Sequence, residues 1–175
     1  MQRPPTPTPP PTPARRLRHM TPEDADAAAA LFAAARDADG LAGWTAAALR
    51  QTLADRGFGA VVHGADGAIV GAALALYAGD DADVAHIAVT PAARRTGVAR
   101  QLIAALAAAA REAGFARLAL EVAVDNSPAL GLYAGFGFTA VGCRPGYYRR
   151  ENGSVGAKVM ALNLSTATRL QTHNQ

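Results

Sequence analysis

Apolar and polar positions change period several times along the chain, and each change marks an element. Residues 17–20 predict a short first strand. Thr21-Pro22-Glu23-Asp24 then supplies an N-cap, a proline at the first helical position and an acidic first turn, predicting a helix to about Ala38 with Gly40 as its stop. Thr45 caps a second helix, which runs to Arg56 and is closed by Gly57. Residues 58–63 and 68–77 are strand candidates joined by Gly64-Ala65-Asp66-Gly67, a hairpin signal. Residues 85–89 form a short apolar strand ending at Thr90-Pro91. Leu102, Ile103, Leu106 and Ala110 recur at helical spacing until Gly114. Residues 117–124 alternate, with Leu118, Leu120, Val122 and Val124 on one face and Arg117, Ala119, Glu121 and Ala123 on the other. Ser127 as N-cap and Pro128 as first residue open a short helix through Tyr133, broken by Gly135 and Gly137. Two final strands, 138–142 and 157–163, flank a loop holding Arg144, Tyr147 and Tyr148. Strand, two helices, a strand meander, helix, strand, helix, strands: the class is mixed α/β.

Composition narrows the function without choosing it. The chain has 175 residues, enough for one domain with a substantial core, and about a quarter of it is alanine. The first 14 residues are mostly proline and threonine, a composition that cannot build a core, and residues 165–175 are polar. The folded domain is therefore expected over 15–164, with a disordered tail before it and a polar tail after it. Net charge is +3, carried almost wholly by arginine. That suits a phosphorylated ligand and falls short of the basic stripe of a dedicated nucleic-acid binder. Cys143 is the single cysteine, so no internal disulfide forms. His19, His63, His86 and His173 lack ligand spacing, so no metal site is expected. The apolar run 27–35 is too short to span a membrane and follows acids rather than cations, which leaves a cytoplasmic protein as the expectation.

The candidate chemistry gathers in the second half. Arg94, Arg95, Thr96, Gly97, Val98, Ala99 and Arg100 lie between an apolar strand and a helix start, where free N–H groups and the helix dipole favour an anion. Gly97 and Ala99 keep the approach open, and the arginines add cations. Taken alone, the loop is equally an ordinary strand-to-helix turn. Glu121 sits in an apolar strand, where a lone carboxylate costs several kcal/mol on an order-of-magnitude scale; it must face a cleft, meet a cation such as Arg117, or be protonated. Trp44 is a core anchor or a cleft wall, and Asp80, Asp81 and Asp83 are a solvated turn or an attractor of amines. Tyr133, Glu121 and Asn126 share one strand-helix unit beside the anion loop.

Ile87 to Val89, the Arg94-x-x-Gly97-x-Ala99 loop, Glu121 in Leu-Glu-Val, Asn126 and Leu132-Tyr133-x-x-x-Gly137-Phe138 together resemble the GCN5-related N-acetyltransferase (GNAT) superfamily, over roughly residues 17–164. Within it, Trp44, the 126–138 block, Arg144-x-x-Tyr147-Tyr148 and Met160-Ala161-Leu162 are most similar to RimI-type ribosomal-protein alanine N-acetyltransferases. The resemblance implies a mostly antiparallel sheet of six or seven strands with about four helices, and an acetyl-CoA crevice between two splayed central strands. It implies that Ile87, Ala88 and Val89 hold the pantetheine arm, that the loop from Arg94 to Arg100 wraps the pyrophosphate, and that Asn126 bonds the pantetheine side. Glu121 is then the general base and Tyr133 the general acid, with Trp44, Arg144, Tyr147 and Tyr148 at the acceptor. The implied acceptor is a protein N-terminus; a small-molecule amine, a lysine, or a silent acetyl-CoA-binding module are the alternatives. Neutralising lysine costs about 3.5 kcal/mol more than neutralising an α-amine, so the α-amine asks less of one carboxylate. One departure stands out: Val155 and Gly156 occupy the positions where RimI-type enzymes carry an acidic pair.

Overall fold

The computed structural model describes residues 15–35, 43–150 and 153–165. Its strands are β1 (Arg16–His19), β2 (Gly57–His63), β3 (Ile69–Ala78), β4 (Asp81–Val89), β5 (Arg117–Ala123), β6 (Thr139–Arg150) and β7 (Gly153–Asn163). They form one sheet in the order β1-β2-β3-β4-β5-β7-β6, antiparallel throughout except where β4 meets β5. Helices α1 (Ala25–Ala35) and α2 (Ala46–Asp55) cover one face; α3 (Val98–Glu112) and α4 (Ser127–Phe136) cover the other. Alternate residues of the central strands therefore feed two cores. Val61, Ala72 and Leu74 pack under Phe32 and Leu49, whereas Ala60, Val62, Ala73 and Ala75 pack under Leu102, Ile103 and Leu106. Strands buried on both sides read as unbroken apolar runs, which is how β2 and β3 appear in the sequence.

Local chemistry fixes the helix starts. Asp24, buried at the end of a single 3-10 turn (Pro22–Asp24), accepts from Thr21 N–H at 2.8 Å and from both Arg18 Nη atoms at 2.6 Å. Those guanidinium bonds hold its carboxyl below the usual aspartate range. Thr45 Oγ1 accepts from Ala48 N–H at 3.1 Å and caps α2. In α3, Val98, Leu102, Ile103, Leu106, Ala107 and Ala110 are buried in one stripe, while Gly114 takes φ +86 just past the helix end. Gly71 of β3 lies directly beneath this helix. A Cβ there would stand 2.5 Å from Val98 Cγ1, so the bare backbone is what lets α3 settle on the sheet.

The sheet carries one irregularity that matters most. In the β3–β4 ladder Leu74 faces His86 and Ala75 faces Val84, so Ala85 has no partner and forms a bulge. On its other side β4 pairs with β5 only from Asp81 to Val84, against Arg117 to Leu120. Beyond that point the strands part, and among the described residues no strand lies beside the β5-facing edge of residues 85–89.

Several expectations need correction. Asp81 and Asp83 are inside β4, which begins four residues earlier than predicted. Arg144, Tyr147 and Tyr148 lie in β6 rather than a loop, because the last two strands form a long hairpin. Asn126, not Ser127, caps α4, its Oδ1 accepting from Ala129 N–H at 3.2 Å; Gly135 is inside that helix and Gly137 ends it at φ +111. Val124 is exposed, unlike the other residues assigned to its face. The predicted helix end at Ala38 and stop at Gly40, and both tails apart from residue 165, lie outside the described residues.

Candidate active site

Two cavities open where β4 and β5 part. The first, about 200 Å³, is bounded by residues 84–89 of β4, 120–123 of β5, Ala99 of α3, and Asn126, Leu132 and Tyr133 of α4. The second, about 550 Å³, is bounded by Trp44, Asp83, Glu121, Arg144, Tyr147 and Tyr148 among others. Glu121 lines both, so it stands at their junction; Tyr133 lines the narrower one alone.

At the mouth of the narrow cavity the chain turns through Pro91–Ala93 and enters α3 at Gly97, whose φ is +87. Among the described residues no side chain caps this helix, so the first N–H groups, from Val98 to Arg100, lack the partner that Thr45 gives α2. Arg95 has φ +61, an unusual conformation for a residue with a Cβ and one that functional loops tolerate. The arginines are spread around this turn. Arg94 Nε donates to Val89 O at 3.3 Å. Arg100 reaches Gly135 O at 3.5 Å and lies 5.6 Å from the Phe136 ring centroid, tying α3 to the end of α4. Arg15, 81 positions away in sequence, donates to Thr96 Oγ1 at 2.6 Å and to its carbonyl at 3.2 Å. A backbone edge that β5 leaves beyond Val84, a narrow slot and an uncapped helix start among guanidinium groups together fit an extended ligand ending in phosphate.

At the junction, Glu121 Oε1 is 2.7 Å from Arg144 Nε. Arg117, the partner the sequence offered, pairs with Asp81 instead, at 2.6 Å. Tyr147 donates its phenol proton to Glu121, and this bond, more than burial, raises the phenol above the usual tyrosine range. Asp83 is pushed above the aspartate range, first by burial and then by the charges of Glu121 and Asp81, with Arg144 opposing. Tyr148 is buried and donates from its hydroxyl to the Glu121 carbonyl at 3.0 Å, anchoring the backbone of β5 at the base.

The model of the acetyltransferase (GNAT) family matches residues 11–138, well over half of the chain. The chain belongs to the GNAT family. The [ribosomal protein bS18]-alanine N-acetyltransferase of Escherichia coli (strain K12) is 37% identical over 86 residues, which cover 49% of this chain and 58% of that protein. An uncharacterized protein of Mycobacterium leprae is 36% identical over 138 residues, covering 74% of this chain and 36% of its own length. The match thus spans less than two thirds of either relative. Among solved structures, the ribosomal-protein-S18-alanine N-acetyltransferase from Escherichia coli superposes with a TM-score of 0.76 at 25% identity, covering 90% of this chain and 98% of that one. A Salmonella typhimurium structure described with its cofactor acetyl-CoA shares the fold, with a TM-score of 0.72 at 20% identity; the alignment covers 89% of this chain and 96% of that one.

In this GNAT chain the residues singled out from the sequence fall into three groups. Ile87, Ala88, Val89, Ala99, Asn126 and Tyr133 line the narrow cavity. Arg94, Arg95, Thr96, Gly97, Val98 and Arg100 form the turn beside it, although Val98 itself is buried against the sheet. Trp44, Arg144, Tyr147 and Tyr148 line the wider cavity, with Tyr148 also reaching the narrow one. The sequence did not point to Arg15, which lies at the edge of a proline-rich segment, nor to His86, which lines both cavities. It also missed that Arg144 meets Glu121 by reaching across the whole width of β7. Among the described residues no group of His, Cys, Asp or Glu could hold a metal ion, and no helix is long and apolar enough to cross a membrane.

Proposed function

We propose that this chain transfers acetyl from acetyl-CoA to a primary amine, with the N-terminal α-amine of a protein as the acceptor. The observation that carries the reading is that Glu121 and Tyr133 line one slot together with Ala99 of α3 and the unpaired edge of β4. When bound, acetyl-CoA supplies an activated thioester. The phosphates suit the N–H groups and arginines from Arg94 to Arg100; residues 87–89 suit the amide-bearing arm as a missing strand would. Asn126 uses its carbonyl oxygen in the cap and keeps its amide N–H groups as donors for the same arm. The wider cavity, walled by Trp44 and Tyr148, receives the acceptor at the other side of Glu121. Glu121 takes the proton that the attacking amine loses, through water. As the new C–N bond forms and the C–S bond breaks, the Tyr133 hydroxyl gives its proton to the departing sulfur.

The protein acceptor rests on the Escherichia coli relative, whose name specifies an alanine of ribosomal protein bS18. A small cationic amine is the second reading, favoured by Asp83 at the cavity wall and by Val155 and Gly156 at positions where an acidic pair would orient a peptide. Purified protein, acetyl-CoA and a panel of alanine-, serine- and methionine-initiated peptides beside polyamines would separate the two by mass spectrometry. Acetylation of polyamines alone would remove the protein N-terminus as acceptor. Parent-like turnover of Glu121→Gln would remove the base.

A further inference from the structure

Strand β6 holds a distortion that the site depends on. Arg144 faces Ala157 and Tyr148 faces Val155, so four steps along β6 match only two along β7. Two extra residues are looped out over Gly156, and Gly146 takes φ +62 within them. In a regular strand Arg144 and Tyr148 would point to one face and Tyr147 to the other. Here all three line the same cavity, with the Tyr147 and Tyr148 rings edge-on at 5.0 Å and Arg144 5.5 Å from the Tyr147 ring centroid.

What the bulge delivers is aimed at one carboxylate. Arg144 Nε forms an ion pair with Oε1 at 2.7 Å, Tyr147 donates to the same group, and Tyr148 holds its main chain. An ionised carboxylate offers about four lone-pair sites, so two donors fix its orientation and leave acceptor capacity for the proton of an attacking amine. We infer that Arg144 and Tyr147 are positioning residues for Glu121, carried to it by the β6 bulge, rather than contacts that recognise the acceptor. This inference rests on the reading of Glu121 as the base. A flexible Glu121 would still bind no less acceptor; it would spend less time in the geometry from which it accepts a proton.

A double-mutant cycle tests this, with steady-state kinetics under saturating acetyl-CoA and the best acceptor of the panel. Arg144→Ala and Tyr147→Phe are each expected to lower kcat about 10-fold, with acceptor KM within about twofold and the acetyl-CoA Kd unchanged. Arg144→Lys should recover part of the loss. In the Glu121→Gln background, adding Arg144→Ala should slow turnover no further, because there is no base left to hold. A rise in acceptor KM at intact kcat, or losses that multiply in the double variant, would overturn the inference while leaving Glu121 as base. Turnover unaffected by Glu121→Gln would sink the base reading itself. Should Arg144→Ala fail to fold, Arg144→Gln, which keeps most of the stem, serves in the same cycle.

Discussion

Replacing Gly71 by alanine tests whether the α3 start is held where the anion site needs it. The new Cβ would lie 2.5 Å from Val98 Cγ1 and 3.2 Å from Leu102 Cδ1. Ordinary carbon contacts are about 3.5–4.0 Å, so Val98 must retreat by roughly 1 Å. Val98 is the first residue of α3 and follows Gly97 directly, so its retreat moves the turn that leads into Ala99 at the cavity wall. Overpacking of this kind costs about 1–3 kcal/mol. Loss of unfolded-state freedom at a Gly→Ala change returns about 0.4–1 kcal/mol. Taking about 1.5 kcal/mol as the net, the melting temperature should fall by about 3–6 °C. Acetyl-CoA affinity, measured by titration calorimetry, should fall roughly 10-fold, since a shift of this size spoils one or two backbone hydrogen bonds worth about 1 kcal/mol each. Gly131→Ala is the control, at a helical position where an added Cβ meets nothing within 4 Å. An unchanged melting point together with unchanged affinity in Gly71→Ala would refute the argument that close packing of α3 on β3 sets the anion site.

Asp24→Asn should destabilise by about 2 kcal/mol at pH 7, by the loss of a charge-assisted pair with Arg18. Because the Asp24 carboxyl titrates below its ordinary value, its contribution is full above about pH 4 and fades as pH falls through the folded value; the urea-unfolding gap between parent and variant should therefore close in acid. Tyr133→Phe should slow turnover by about 10²-fold with acetyl-CoA affinity kept; stopped-flow traces showing full-speed chemistry would return Tyr133 to a packing role. Arg15→Ala should weaken acetyl-CoA binding several-fold by releasing Thr96, and the loss should shrink with rising salt.

How much of this was legible in the sequence follows from the range of each interaction. Elements written in local code, such as the Thr45 cap, the Asp66-Gly67 turn and the stripe of α3, can be read within a window of a few residues. Glu121 was legible as an anomaly, a charge in an apolar strand, but its partner was not. Arg117 lies four residues away on the same face; Arg144 lies two strands away and reaches Glu121 because β7 intervenes with Ala157 and Val159 along the way. The same limit hid the continuation of β6 through residues 143–150, where Pro145, Gly146 and three arginines look like a loop. The position of the Ala85 bulge is likewise set by pairing with β3, and no residue type marks it.

The four-rung seam between β4 and β5 has a mechanical consequence. Among the described residues it is the one direct ladder between a four-stranded leaf and a three-stranded leaf, so the sheet is stitched at one end and gapes at the other. A long ligand threaded into the gape would act as a splint, borrowing hydrogen bonds from one leaf and packing on the other. At a concentration 100 times its Kd such a splint adds about 2.7 kcal/mol to global stability. Its signature in amide hydrogen exchange should be slowed opening along residues 85–89 and 121–123, on both banks of the gap at once.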